Sequence, residues 1–327
     1  MIQSMFTKDT HCRICGSNWY DDTNNEGWWC ANCDGYNYWN LAAHDNHKFI
    51  VILEDKLQKE ATVRRKSIYK KQLSPLRYPG GKSKLIDYLA TFIRKEKAKT
   101  LISPFLGGGS VELALLEAGT VQKLLINDLD YGLYSLWWTM LHMPDDLITR
   151  IEEFNPTQKA FYDAQSLIKS DYLHLNNLDA AWITLLVNRL AYSGIAKANS
   201  MGGKQGSVHD LTVRWNPKTL IKRIREIHKL ADRIEVFCED AVEFIEAYFW
   251  DDSATLFIDP PYFVKGKDLY NIHLTEQEHI RLAWTLQTIH KGFPSCDVIV
   301  TYDYHKFISD IYNAADQLEI IGRQYSI

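Results

Sequence analysis

Between residues 99 and 302, five short runs rich in branched and apolar side chains recur: KTLISPF, LLIND, IEVFCED, ATLFID and CDVIVTY. Their length and composition are those of strands buried on both faces. Helix-like stretches separate several of them, notably 110–118 and 275–290. At the start of the latter, Thr275 followed by Glu278 makes a capping box. Strands that alternate with helices align in parallel, with helices covering both faces of the sheet. The expected class is therefore α/β with a mostly parallel sheet. One gap breaks the rhythm: about 143 to 232 is far longer than an ordinary connection. It reads as an insertion, helical at first and glycine-rich around SGIAKANSMGGKQGS.

The chain has 327 residues, 46% hydrophobic and 24% charged, which suits a soluble protein of about two domains. A net charge of −4 does not mark a polyanion binder as a whole, so any such surface must be local. The start, MIQSMFTKDTHC, has neither a basic segment nor an apolar core, so no signal peptide is read there. The most apolar stretch carries Asn188, Arg189 and Lys197 and does not read as a membrane span. No membrane association and a cytoplasmic location are expected.

Four cysteines fall in two C-x-x-C pairs, Cys12 with Cys15 and Cys30 with Cys33. Two such knuckles can close a tetrahedron of thiolates, so a structural zinc ion is expected on these four residues. Residues 1–45 are read as that zinc-binding module and 46–75 as a basic linker. Between Lys56 and Lys71 there are seven Lys or Arg against one Glu.

The segment RYPGGKSKL ends like a phosphate-binding loop, but the position that should hold its first glycine is Leu76. A nucleoside triphosphate site is not what it makes. In an open parallel sheet, ligands bind beyond the carboxyl ends of the strands, so the residues following each strand matter most. After the first comes PFLGGGS, whose glycines permit close backbone approach. Asp128 and Asp240 follow the second and third, each suited to a ribose or base contact and each equally suited to capping a helix. After the fourth stands DPPY, Asp259 to Tyr262. Its prolines stiffen the loop and remove backbone donors. The Asp259 carboxylate and the Pro260 carbonyl could both accept from one exocyclic amine, while Tyr262 could stack on the ring that bears it.

From Leu76 to about Tyr304 these motifs, in this order, resemble the Dam-like (D12 class) DNA adenine-N6 methyltransferases. The resemblance implies a Rossmann-like methyltransferase sheet, S-adenosylmethionine as cofactor and double-stranded DNA as partner. It implies a catalytic domain over 76–142 and 233–327, with a target-recognition domain inserted at 143–232. Cofactor contacts would come from Tyr78, Lys82, Pro104, Phe105, Gly107, Gly109, Ser110, Asp128, Asp240 and Ala241. Catalysis would fall to Asp259, Pro260, Pro261 and Tyr262. NRLAYSGIAKAN and RWNP are similar to the family's recognition region, which makes Lys197, Asn199 and Arg214 candidates for DNA contact. Two alternatives stay open: an RNA adenine acceptor, and a DNA-binding protein that kept the fold without turnover. The sequence departs from the family twice. Ser103 stands where an acid normally precedes Pro-Phe, which would take a charged partner from the cofactor's amino group. The chain also ends without the family's final strand, which leaves a sheet edge for a partner chain to cover.

Overall fold

The computed structural model describes residues 20–22, 27–30, 35–38, 47–60, 67–70, 72–78, 80–94, 99–292 and 295–322. Three short strands, β1 (Tyr20–Asp22), β2 (Gly27–Cys30) and β3 (Gly35–Tyr38), form an antiparallel sheet in the order β1-β2-β3. Cys30 ends β2, paired with Gly35. Cys12, Cys15, Cys33 and the Cys30 side chain lie outside the described residues, and so does the expected metal site.

The five runs singled out in the sequence are strands: β5 (Thr100–Ser103), β6 (Lys123–Asn127), β7 (Ile234–Phe237), β8 (Ala254–Ile258) and β9 (Asp297–Asp303). With β4 (Phe49–Glu60) and β10 (Gln317–Gly322) they form a seven-stranded sheet in the order β10-β4-β9-β8-β5-β6-β7, every pairing parallel. Because all strands run the same way, the ends of β4, β9, β8, β5 and β6 share one rim. β5 and β8 are buried along their whole length, as continuous apolar strands in a helix-covered sheet should be.

One expectation changes here. Residues 49–60 are not linker. FIVIL is a run of five apolar residues that becomes the inner strand between β9 and β10, with Phe49, Val51, Ile52 and Leu53 fully buried. The basic residues beyond it disguised the run as the start of a solvated segment. Its entry is fixed by backbone: the Lys48 amide donates to Asp297 (2.8 Å) and the Phe49 amide to Asp316 (2.7 Å). β4 covers one side of β10, which is itself the sheet edge with Leu318 and Ile320 exposed, and no observation among the described residues supports a partner chain there.

The helices are α1 (Ile86–Leu89), α2 (Ser110–Glu117), α3 (Tyr131–His142), α4 (Pro144–Glu153), α5 (Gln158–Lys169), α6 (Asn177–Leu190), α7 (Val208–Thr212), α8 (Pro217–His228), α9 (Ala241–Tyr248), α10 (Gly266–Leu269), α11 (Glu276–Gly292) and α12 (Lys306–Ile311). The Thr275–Glu278 capping box closes in both directions: the Glu278 amide donates to Thr275 Oγ1 (3.3 Å) and the Thr275 amide to the Glu278 carboxylate (2.6 Å). Within the long insertion, α4 and α8 bury Leu147, Ile151, Leu220 and Ile224 in the core cluster that also holds sheet residues Leu101 and Ile126. A separate cluster forms from α5, α6 and α7 through Phe161, Ile168, Leu186 and Leu211. The part with a core of its own is therefore narrower than 143–232. No helix among the described residues is long and apolar enough to cross a membrane.

Candidate active site

The glycine loop between β5 and α2 is shaped by two close approaches. Gly107 and Gly109 have φ of +50° and +60°, and a Cβ on either would lie 2.5 Å from the Tyr78 or Trp137 ring. Side chains are excluded at both on conformational and steric grounds. Asn127, fully buried at the end of β6, ties three strand ends together. Its amide donates to the Pro104 and Glu239 carbonyls (3.1 and 3.0 Å), and its oxygen accepts from the Glu239 amide (2.8 Å). Sequence reading passed over this residue because an asparagine inside IND looks like a turn former.

All ten residues expected at the cofactor line one pocket at the sheet rim, from Tyr78 and Lys82 through the glycine loop to Asp128, Asp240 and Ala241. Asp259 and Pro261 share its wall. Asp128 does not cap a helix. Its carboxylate accepts from the Gly107 amide (2.8 Å) and the Asp130 amide (3.0 Å), while Asp130 caps α3. Burial and the neighbouring Asp130 push Asp128 up to about 7, against the pull of those two amides. Asp240, by contrast, is a helix cap: it accepts from the Val242 and Glu243 amides and pairs with Arg281 at 3.4 Å. Glu112, buried in the first turn of α2, also faces the pocket, and Ser103 Oγ donates to it at 2.8 Å. Burial raises this carboxyl to about 7, despite hydrogen bonds from its own amide and from Ser103.

At the other end of the pocket, Lys82 is buried with 3% of its surface exposed. Its ammonium lies 2.8 Å from Asp259 Oδ1 and 3.1 Å from Glu54 Oε1, and donates to the Gly80 carbonyl at 3.1 Å. Thr301 Oγ1, on neighbouring β9, donates to Asp259 Oδ1 at 2.8 Å. One cation and one hydroxyl thus fix the DPPY carboxylate. Glu54 comes from the middle of β4, at the last position of its pairing with β9, in a stretch that the sequence reading placed in a linker. Pro260 and Tyr262 are buried behind the pocket wall. The Tyr262 ring is no open platform: the Lys82 ammonium sits 5.0 Å from its centroid and Tyr270 packs against it edge-on at 6.1 Å. Tyr270 stacks on Tyr78 (5.5 Å, 25°), and Asn271 donates to Asp130 at 2.9 Å. The stretch after DPPY thereby covers the pocket, a role no local motif announced.

The NRLAYSG motif explains its own residues. Asn188 accepts from the Arg77 amide (2.9 Å) and donates to the Arg77 carbonyl (2.8 Å). Gly194, at φ +76°, lies so near Arg77 that a Cβ would meet its carbonyl at 2.2 Å. The motif grips the RYPGGK loop. Behind that loop, Arg77, Arg189, Arg214 and Arg223 line a second cavity whose wall contains no carboxylate. Burial, then Arg77, Arg223 and Arg214, push the Arg189 guanidinium down to about 10. Arg77 Nη1 is buried without a hydrogen bond among the described residues. Of the three DNA candidates, only Arg214 reaches this cavity. Lys197 and Asn199 are exposed elsewhere, and the Lys197 ammonium donates to the Lys267 carbonyl at 2.8 Å.

A parallel seven-stranded sheet with its pocket at the carboxyl rim, walled by a glycine loop and strand-end acids, is an α/β methyltransferase-like fold. Residues 78–327 match the family described as D12 class N6 adenine-specific DNA methyltransferase, and the chain belongs to that family. Among curated relatives, the "Type II methyltransferase M.MjaIII" of Methanocaldococcus jannaschii is 25% identical over 206 residues, 57% of this chain and 68% of that protein. The "DNA N-6-adenine-methyltransferase" of Escherichia phage P1 is 25% identical over 248 residues, 73% of this chain but 31% of that protein. Glu54 lies outside the residues matched by the family.

Proposed function

We propose that this pocket binds S-adenosylmethionine and that Asp259 receives the N6 amine of an adenine flipped out of double-stranded DNA. The observation that carries the reading is the Asp259 carboxylate, fixed by Lys82 and Thr301 at the rim of a pocket built from glycines and acids. The donor set suits the cofactor. The glycine loop allows close backbone approach, Asp128 can accept from ribose hydroxyls, and acids line both ends. When bound, the cofactor supplies an electrophilic methyl group. Both fixing contacts fall on Asp259 Oδ1, and the amine would be received by the other oxygen. A fixed carboxylate beside the amine orients its lone pair and stabilises the charge that develops as the N–C bond forms. Extruding the base costs a few kcal/mol of stacking, recovered through contacts to the strand. The arginine cavity suits a backbone phosphate, since guanidiniums gathered without carboxylates favour an anion whatever the sequence. Tyr262 supports the site by packing under Lys82, and a stacking role would require its surroundings to rearrange. A cytoplasmic location, where DNA is within reach, fits this function.

Unmethylated DNA incubated with the protein and S-adenosylmethionine should yield N6-methyladenine by nucleoside mass spectrometry. Asp259→Ala should lose turnover while binding cofactor within about threefold of wild type, as expected for a group acting mainly in the transition state. Undiminished methylation by that variant would remove Asp259 from the mechanism. The zinc site rests on the two C-x-x-C pairs alone. Elemental analysis of the purified protein should find about one zinc per chain, and Cys30→Ser should lower it.

A further inference from the structure

We infer that Glu112, bonded to Ser103, is the anionic seat for the amino-acid ammonium of the cofactor. The inference rests on the proposed cofactor and adds the residue that selects its charged tail. Every other acid near the pocket already has its role. Asp259 is held by Lys82, Asp240 caps α9 and pairs with Arg281, Asp130 caps α3, Glu278 is engaged in the capping box with Thr275, and Asp128 binds the glycine loop through the Gly107 amide. Glu112 is 3% exposed, lines the pocket, and forms no ion pair among the described residues. It is bonded to Ser103 at the end of β5, the strand that lies between β8, which leads into Asp259, and β6, which leads into Asp128. From the sulfonium, the ammonium of the tail and the ribose hydroxyls lie in opposite directions, each a few bonds away. With Asp128 on the sugar, the remaining buried carboxylate, Glu112, meets the tail.

This answers the first departure in the sequence. Ser103 did not delete the charge: its hydroxyl now orients a carboxylate supplied nine positions later, one turn into the helix that follows the glycine loop. The competing role is structural, because an acid in the first turn also stabilises a helix N-terminus. Ligands that differ only in the tail separate the two.

The test is calorimetric binding of S-adenosylhomocysteine, which carries the ammonium, and of 5′-methylthioadenosine, which lacks the amino-acid tail. Glu112→Gln should weaken S-adenosylhomocysteine about ten- to a hundredfold, the range for a hydrogen bond to a charged group, and leave methylthioadenosine within about twofold. Ser103→Ala, which keeps the acid and loses only its orienting hydroxyl, should give a smaller loss in the same direction. Equal weakening of both ligands by Glu112→Gln would show a role in the loop alone and overturn the inference. Unchanged binding of both would do the same. A wild-type protein that binds neither nucleoside would overturn the cofactor reading itself, and this assignment with it.

Discussion

The two ends of the pocket treat their acids in opposite ways. Near DPPY, Glu54 and Asp259 share the buried ammonium of Lys82, and a threonine hydroxyl completes the set. Near the glycine loop, Asp128 and Glu112 hold only amides and a hydroxyl, with no cation among the described residues, and both are raised to about 7. The first arrangement aims a carboxylate and pairs it with a cation before any ligand arrives. The second leaves two carboxyls costly to ionise until donors come with the ligand. A site that must orient a neutral amine and also attract a cationic cofactor needs both kinds.

The sharpest way to break the contrast is to remove the cation from the paired end. Lys82→Met leaves two carboxylates facing each other in a largely buried setting. Stripping one partner from such a pair costs about 3–5 kcal/mol, so urea denaturation should show a loss of that order. Glu54→Gln added to Lys82→Met should recover a substantial part, because it removes one of the stranded charges. A double variant no more stable than the single one would show that Glu54 and Lys82 are not coupled. Turnover should stay low in both, since Asp259 would have lost its anchor.

This network also marks where the sequence was and was not legible. The glycine loop, the strand-end acids and DPPY could be read because each lies in one short segment whose chemistry follows from its residue types. Glu54 could not: its strand is followed by Lys and Arg, and only sheet order shows that β4 runs beside β9. A count of consecutive apolar residues from Phe49 to Leu53 was the available signal for the strand, though not for its neighbours. The arginine cavity draws on positions 77, 189, 214 and 223, joined by tertiary packing alone. Tyr262 was legible as part of a motif, but its burial under Lys82 was not, because exposure depends on the covering stretch through Tyr270.

At the cation-free end the effects should be smaller and dependent on pH. In the proposed reading, ionised Asp128 would accept from ribose hydroxyls, and protonation would weaken that contact. Its carboxyl titrates near 7 in the free protein, so affinity should fall as pH drops from 8 to 6. Methylthioadenosine isolates this effect, because it has no tail to engage Glu112. Asp128→Asn should weaken its binding about tenfold at pH 8, within the range for a hydrogen bond to a charged group, and flatten the pH dependence. A variant with the wild-type slope would assign that titration to another group.

Across Tyr78 the contrast reverses sign, with four guanidiniums and no carboxylate lining the cavity. If the acids near the glycine loop await a cation, these arginines await an anion. Arg214 gives the cleanest variant, because Arg189 bonds to its backbone carbonyl and not to its side chain. Arg214→Ala should therefore keep the packing and remove one charge. Loss of one phosphate contact reduces the slope of log affinity against log salt by about one, uniformly across sequences. The expected loss at moderate salt is only a few-fold, so the slope is the better measure. An unchanged slope would mean that the cavity faces no phosphate. A change in sequence preference at constant slope would mean that Arg214 reads a base edge, and the cavity would then belong to recognition and not to anchoring.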